Sequence, residues 1–368
     1  MSGLNVKISG DFGGLNFDFN HIFLNDGITA LFGPIGSGKS TIVNVIGGFN
    51  NELNATILLN KNKIQGENYI SPRLRPISIM FQENRLIETL TVYENLNFAE
   101  EKSRNKLCII ESVDKNKIIK DLNLEEKLLK YPKSLSVGEK QLVSLARTLL
   151  ISSELIILDE PTSSLDLRLK KKILSFLKKF NKKYKKPILL ISHSVEEISQ
   201  ISDEILLINE GKLVTSGKVH EVMIRKEFKN FFGKFESGAI LEGKVLSKET
   251  KYNITKIKIE DEVLILPGNF KKRGDVIKVR VRARDVLVSK KTFNLNFFEN
   301  TFVGNVIEIL AEKETAFAEV LIKIGKNKKR QFLRARITRY QLKKMNLKIS
   351  EKIYVHIKAV SFDRQAII

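Results

Sequence analysis

Over the first two-thirds of the chain, apolar residues fall into two rhythms. Short unbroken runs, Ile28-Thr29-Ala30-Leu31-Phe32, Leu155 to Leu158 and Ile188 to Ser192, read as strands buried on both faces, as in a parallel sheet. Longer segments with helical spacing lie between them. Ser40 to Ile46 reads as a helix, and Leu169, Ile173, Leu174, Phe176, Leu177 and Phe180 form the apolar stripe of another. From about Asn84 to Leu150 helical signals dominate, which predicts a helical insert. After Gly233 the pattern changes to short alternating runs, such as Val276 to Arg282 and Ile353 to Ile357, with turn signals like Pro267-Gly268-Asn269 between them. A faint echo links Val281-Arg282-Ala283-Arg284-Asp285-Val286 to Ile357-Lys358-Ala359-Val360-Ser361-Phe362, each after an alternating strand. The expected architecture is an α/β domain over residues 1–232, with a helical subdomain at about 84–150. An all-β, OB-like barrel of two related halves is expected over 238–368.

Composition changes this picture little. The 368 residues are 42% hydrophobic and 29% charged, values of a soluble globular protein. No run approaches the roughly 18–20 apolar residues needed to cross a bilayer, and the first residues lack the pattern of a signal peptide. The single cysteine, Cys108, excludes an intramolecular disulfide, fits a reducing compartment and reads as an apolar filler. The expected location is therefore cytoplasmic. The net charge of +21 raises the question of a nucleic-acid partner. The lysines are scattered, however, and the densest run, Lys178 to Lys186, closes the amphipathic stripe as a solvated helix face. No nucleic acid is expected, and the charge implies at most a weak bias toward an anionic membrane surface.

The chemistry is concentrated between Gly33 and His193. Gly33, Pro34, Ile35, Gly36, Ser37, Gly38, Lys39 and Ser40 match G-x-x-x-x-G-K-[ST], between an apolar strand and a helix. Such a loop aims several backbone N–H groups at one point, and the helix N-terminus adds positive potential, so the product is a phosphate cradle. Lys39 is expected to reach the β- and γ-phosphates of ATP, Ser40 the Mg²⁺ ion, and Thr41 the α-phosphate side. Asp159 ends an apolar strand, where a carboxylate is costly unless it serves a cation, and is assigned to Mg²⁺. Glu160 is the candidate general base for the attacking water.

Leu135-Ser136-Val137-Gly138-Glu139-Lys140-Gln141 then resembles the signature loop of the ATP-binding-cassette ATPases, L-S-G-G-Q or L-S-G-G-E, with Val137 in place of the first glycine of the pair. The resemblance implies a phosphate-loop NTPase fold and a dimer of two copies sandwiching two ATPs. Ser136, Gly138 and Glu139 would meet the nucleotide held by the other copy. It further implies that Gln82 touches Mg²⁺ or the attacking water and signals to a partner, and that His193 contacts the γ-phosphate. Asp166, in Ser164-Leu165-Asp166, would speak across the dimer interface. Phe12 would lie under adenine, with Phe17 and Phe19 equally readable as core. A single cassette without membrane spans, followed by a small β domain, is the layout of importer ATPases. The implied partners are integral membrane permease subunits and, indirectly, a periplasmic or surface substrate-binding protein. The implied location is the cytoplasmic face of the membrane.

Gly27 to Gly33, Phe81-Gln82-Glu83-Asn84-Arg85-Leu86 and His193 to Ile198 are similar to the ATPase of molybdate importers. Val281 to Val286, Glu299 to Gly304 and Ile357 to Ser361 resemble that family's molybdate-binding-protein-like barrel. In place of the family's Ser-x-Arg-Asn run stands Phe297-Phe298-Glu299-Asn300, and an acid opposes an oxyanion by Coulomb repulsion. Asn300, Lys358 and Ser361 are the candidate donors to molybdate there; the alternative is a barrel that serves dimerisation alone. The expected cargo is molybdate or a related oxyanion, with sulfate, tungstate or ferric iron as alternatives. A regulatory or nucleic-acid-linked cassette is the reading from a different class.

Overall fold

The run Ile28–Phe32 (β3) forms the middle of a ten-stranded sheet, every residue of it buried. It pairs in parallel with Ile188–Ile191 (β8) on one side and Glu204–Asn209 (β9) on the other. Leu155–Asp159 (β7) and Ile77–Met80 (β6) extend the parallel half. Lys212–Lys218 (β10) then pairs antiparallel with β9 and in parallel with Leu15–Ile22 (β2), and Leu4–Phe12 (β1), Asn54–Leu59 (β4) and Asn62–Gln65 (β5) complete the sheet with antiparallel pairs. The two halves differ for a readable reason. The parallel strands are apolar on both faces, whereas β1 and β2 alternate buried with exposed positions.

The structure is a computed structural model that describes residues 3–104, 113–151, 153–225, 227–228, 238–270, 272–291, 300–311, 315–325, 331–358 and 362. Cys108 lies outside these. The chain divides into two units, Met1–Val219 and His220–Ile368. This division comes before the change of composition after Gly233. Its physical cause is that Met223 and Phe228 are buried and that Arg334 donates from Nη2 to Ile224 O, 2.5 Å away.

In the first unit the helices are Lys39–Gly47 (α1), Val92–Arg104 (α2), Lys115–Asp121 (α3), Val137–Leu150 (α4), Leu167–Tyr184 (α5) and Val195–Ile201 (α6). Helices α2 to α4 lie between β6 and β7, with no strand among the described residues between them. The α5 stripe is buried at Ile173, Leu174, Leu177 and Phe180, and its lysines stay outside. Arg75, fully buried, caps α1 from below. It donates from Nη1 to Val45 O and Ile46 O and from Nη2 to Gln65 Oε1, satisfying carbonyls that a helix C-terminus otherwise leaves open.

The second unit contains two antiparallel sheets around one core. The first runs β13-β12-β11-β14, with Gly238–Glu249 (β11), Ile254–Ile259 (β12), Glu262–Pro267 (β13) and Val276–Arg282 (β14). The second runs β15-β19-β16-β17-β18, with Val286–Ser289 (β15), Asn300–Ala311 (β16), Phe317–Ile324 (β17), Gln331–Thr338 (β18) and Lys352–Ile357 (β19). Read from β18, the second order repeats the first and adds β15. The long strands β11 and β16 each carry a bulge, after Val245 and after Val306, and each places a glycine two residues before it. A Cβ on Gly243 would lie 2.6 Å from Lys258 O, and one on Gly304 2.7 Å from Lys323 O. The repeat is therefore stronger in topology than in the short echo that the sequence displays.

Each seam between the sheets carries a side-chain amide that imitates a strand. The fully buried Asn300 accepts from Ile265 N–H at 2.6 Å and donates to Ile265 O at 3.1 Å. Gln331 does the same to Glu242, at 2.8 Å both ways. Asn300, expected as a donor to an oxyanion, thus has its carbonyl and one N–H committed to an edge strand. Lys358 is exposed, and Phe297, Phe298, Glu299 and Ser361 lie outside the described residues. Asn300→Ala is expected to cost about 1–3 kcal/mol, since Ile265 loses both partners in a buried seam. Denaturant unfolding checks this, and an unchanged midpoint would show that the clamp contributes nothing.

Candidate active site

Strand β3 delivers the chain into a loop that only glycine permits at its first position. A Cβ on Gly33 would stand 2.1 Å from Ile208 O. At the far end Gly38 caps α1 with φ 97°, and a Cβ there would meet the Phe17 ring at 2.8 Å. The loop curls around Lys39, which donates from Nζ to Gly33 O (2.9 Å), Pro34 O (2.8 Å) and Ser37 Oγ (3.2 Å). Burial lowers the Lys39 pKa, and the charges of Asp159 and Glu160 oppose that shift. Ser40 is exposed and Thr41 half-buried in the first turn of α1, while Ile35 points outward.

The carboxylates arrive from the neighbouring strands. Asp159 ends β7, and its pKa is pushed up to about 6, first by burial, then by the charge of Glu160, with Lys39 pulling the other way. Glu160, the next residue, adopts φ 49° and anchors its N–H on Ile191 O at 2.9 Å. Because β7 and β8 are paired neighbours, His193 emerges beside it, and its Nε2 stands 2.7 Å from Glu160 Oε1. The structure thus brings together the phosphate loop, Asp159, Glu160 and His193. Gln82 is exposed, just past the end of β6.

The signature loop folds as a helix start. Ser136 caps α4 in a reciprocal box: Glu139 N–H donates to Ser136 Oγ, and Ser136 N–H donates to Glu139 Oε2 at 2.8 Å. Lys127 bonds the same carboxylate at 2.7 Å and, with the Ser136 N–H, holds its pKa down to about 2. Glu139 therefore builds the cap that aims the α4 N-terminus. Val137 is 63% exposed, so the side chain that replaces a glycine points away from the fold. Gly138 lies against Ser164 and Leu165, where a Cβ would come within 3.3 Å. Among the described residues, Ser136 and Gly138 make no hydrogen bond or ion pair with the phosphate loop. The N-termini of α1 and α4 thus stand as two separate helix starts, each with unsatisfied N–H groups of its own.

Asp166 caps α5, accepting from the N–H groups of Arg168 and Leu169 at 2.9 Å each. Phe12 pairs with Leu15 across the Gly13-Gly14 turn, half-buried against the core that contains Phe17 and Phe19.

Two residues that sequence reasoning missed secure the loop after Gln82. Asn95, fully buried, accepts from Ile87 N–H and donates to the carbonyls of Ile87, Leu90 and Thr91. Arg147 of α4 donates from Nη2 to Arg85 O at 2.7 Å, and the Arg85 guanidinium stacks 4.0 Å from the Phe81 ring centre. Nothing in the sequence separates this Asn or this Arg from ordinary surface residues, because their partners are backbone atoms.

Comparison with known proteins agrees with the geometry. The ABC transporter family model matches residues 16–163. The molybdenum import ATP-binding protein of Saccharophagus degradans is 32% identical, over 91% of this chain and 91% of its own. That of Yersinia pestis is 30% identical, over 98% of both. A dimeric, post-hydrolysis ATP-binding cassette solved with ADP and phosphate covers 59% of this chain and 98% of its own, with a TM-score of 0.50 at 24% identity, and shares the fold. With the phosphate loop, the carboxylate pair and the capped signature helix all in place, and with relatives that span both units, the chain belongs to the ATP-binding-cassette transporter ATPases, among the molybdenum import ATP-binding proteins.

Proposed function

We propose that the chain is the ATP-hydrolysing subunit of an importer that carries molybdate, working as a dimer beneath a separate membrane permease. The observation that carries this reading is the extent of the similarity: relatives named for molybdenum import match the β unit as well as the cassette. No described helix is long and apolar enough to cross a membrane.

The side chains define the chemistry. Glu160, held by His193 Nε2, is the group that orients the attacking water and takes its proton. Lys39, gripped by the loop, neutralises charge that develops on the transferred phosphoryl group. Asp159, Ser40 and Gln82 form an all-oxygen donor set suited to Mg²⁺, and the raised pKa of Asp159 marks a carboxylate whose charge lacks a sufficient counter-ion. That ion would supply charge neutralisation on the β- and γ-phosphates. Ser136 and Gly138 serve the nucleotide of the second copy.

The test is uptake. Cells that lose this chain are expected to take up labelled molybdate at a strongly reduced rate while sulfate and iron uptake stay unchanged. Unchanged molybdate uptake, with loss of another substrate, would move the assignment to that substrate.

A further inference from the structure

Gln141 belongs to the signature helix, yet its side-chain hydrogen bonds go to the turn that begins at Glu160 of its own chain. It is 2% exposed. Its Nε2 donates to Glu160 O at 2.8 Å and to Ser163 Oγ at 3.1 Å, and its Oε1 accepts from Ser164 N–H at 3.0 Å. Both ends of the amide are therefore satisfied, by the residue that faces the attacking water and by the turn that follows it. The same turn continues through Leu165 to Asp166, and Ser164 O and Leu165 are the groups against which Gly138 packs.

The backbone at Glu160 gives this contact its importance. With φ 49°, a residue with a Cβ occupies the left-handed region, which surrounding structure must hold in place. Four bonds do so at this peptide among the described residues: Glu160 N–H to Ile191 O, and Ser163 N–H, Ser163 Oγ and Gln141 Nε2 to Glu160 O. The first comes from the sheet, the Ser163 pair from the turn itself, and the last from the helical insert, whose Gln141 also binds Ser163 Oγ and Ser164 N–H of that turn. The direction in which Glu160 presents its carboxylate thus depends in part on where α4 stands.

We infer that Gln141 is a positioning residue that couples the two half sites of one chain, so that docking of the signature loop on the partner's nucleotide sets Glu160 over the chain's own. This inference rests on the shared-site dimer proposed above. One amide makes the link because a carboxamide offers both a donor, for Glu160 O and Ser163 Oγ, and an acceptor, for Ser164 N–H. A helix shift of even 1 Å would then misplace Glu160, and misplacement on that scale costs large factors in rate.

The experiment uses the full chain with Gln141→Ala and Gln141→Glu, the second nearly matching the native volume while replacing the donor to Glu160 O with an oxygen. Turnover is measured against ATP concentration, nucleotide binding by equilibrium dialysis, and thermal unfolding as a check on folding. The expected result is a loss of kcat of about tenfold or more in both variants, with ATP affinity within about twofold of wild type and a lower Hill coefficient. A kcat within twofold of wild type and an unchanged Hill coefficient, in whichever variant keeps the wild-type melting temperature, would overturn the inference. Gln141→Ala is also combined with Glu160→Gln and sized with ATP. If Glu160→Gln alone fails to dimerise, the shared-site reading itself falls. If it dimerises and the double variant does too, Gln141 acts after closure, as inferred. If only the double variant fails, Gln141 merely supports the signature loop, and the inference is overturned.

Discussion

Glu160→Gln is expected to reduce ATP turnover by about a thousandfold while leaving ATP bound. A positioned general base contributes roughly 10²–10⁴ to such a reaction, and the amide cannot take the proton. The substitution preserves shape, and its oxygen or nitrogen can still meet His193 Nε2, 2.7 Å away in the native chain. The phosphate loop, with Lys39 held by Gly33 O and Pro34 O, is untouched. Binding without turnover makes a trap: two copies should close on ATP and stay closed. Size-exclusion chromatography should then show a dimer with ATP and Mg²⁺ and a monomer with ADP. A monomeric Glu160→Gln protein that hydrolyses within tenfold of the wild-type rate would remove both the base assignment and the shared site.

Asp159→Asn is the second large effect, and it has two opposite signs. Turnover should fall by two orders of magnitude or more, because the charged member of the Mg²⁺ donor set is lost. The ligand-free protein, in contrast, should become more stable at pH 7, by about 1–2 kcal/mol. The sign follows from the pKa of about 6, raised by burial and by Glu160 from an unfolded value near 3.8. A carboxyl whose folded pKa is raised favours the fold below the unfolded pKa, and that contribution is lost as pH rises through about 6. At neutral pH the ionised Asp159 therefore costs the empty protein stability, and a bound cation offsets the cost. Denaturant melts of both proteins without Mg²⁺, at pH 5 and pH 7.5, should differ most at pH 7.5. A variant less stable than wild type at pH 7.5 would contradict the electrostatic account.

Much of the cassette was legible because its signals are local. The strand at 28–32 and the helix that follows the loop appear where an apolar run and a glycine pattern place them. The signature loop was readable as a motif, and Ser136 caps α4 where that motif stands. In the second unit the alternating pattern identified the strands, but the repeat of their order emerges only from pairing. Asn300 illustrates the limit: its motif position suggested an anion donor, and the fold uses its amide to bind the edge of β13. Arg75, Asn95, Arg147 and Gln141 were silent for one reason, that their partners are mainly main-chain atoms, and a main-chain atom carries no residue type to pair with.

The sequence by itself determined the chemistry of the phosphate loop, since Gly33 to Ser40 fold as one turn between a strand and a helix. It also determined the order of motifs from Gly33 to His193 that marks a cassette ATPase. The tertiary structure decided which distant groups meet: Glu160 with His193 through the pairing of β7 and β8, and Gln141 with Glu160 through the packing of α4. Local patterns report a residue's own backbone preferences and its burial. The aim of a side chain depends on the register of strands and the position of helices, which are set by contacts across the whole unit.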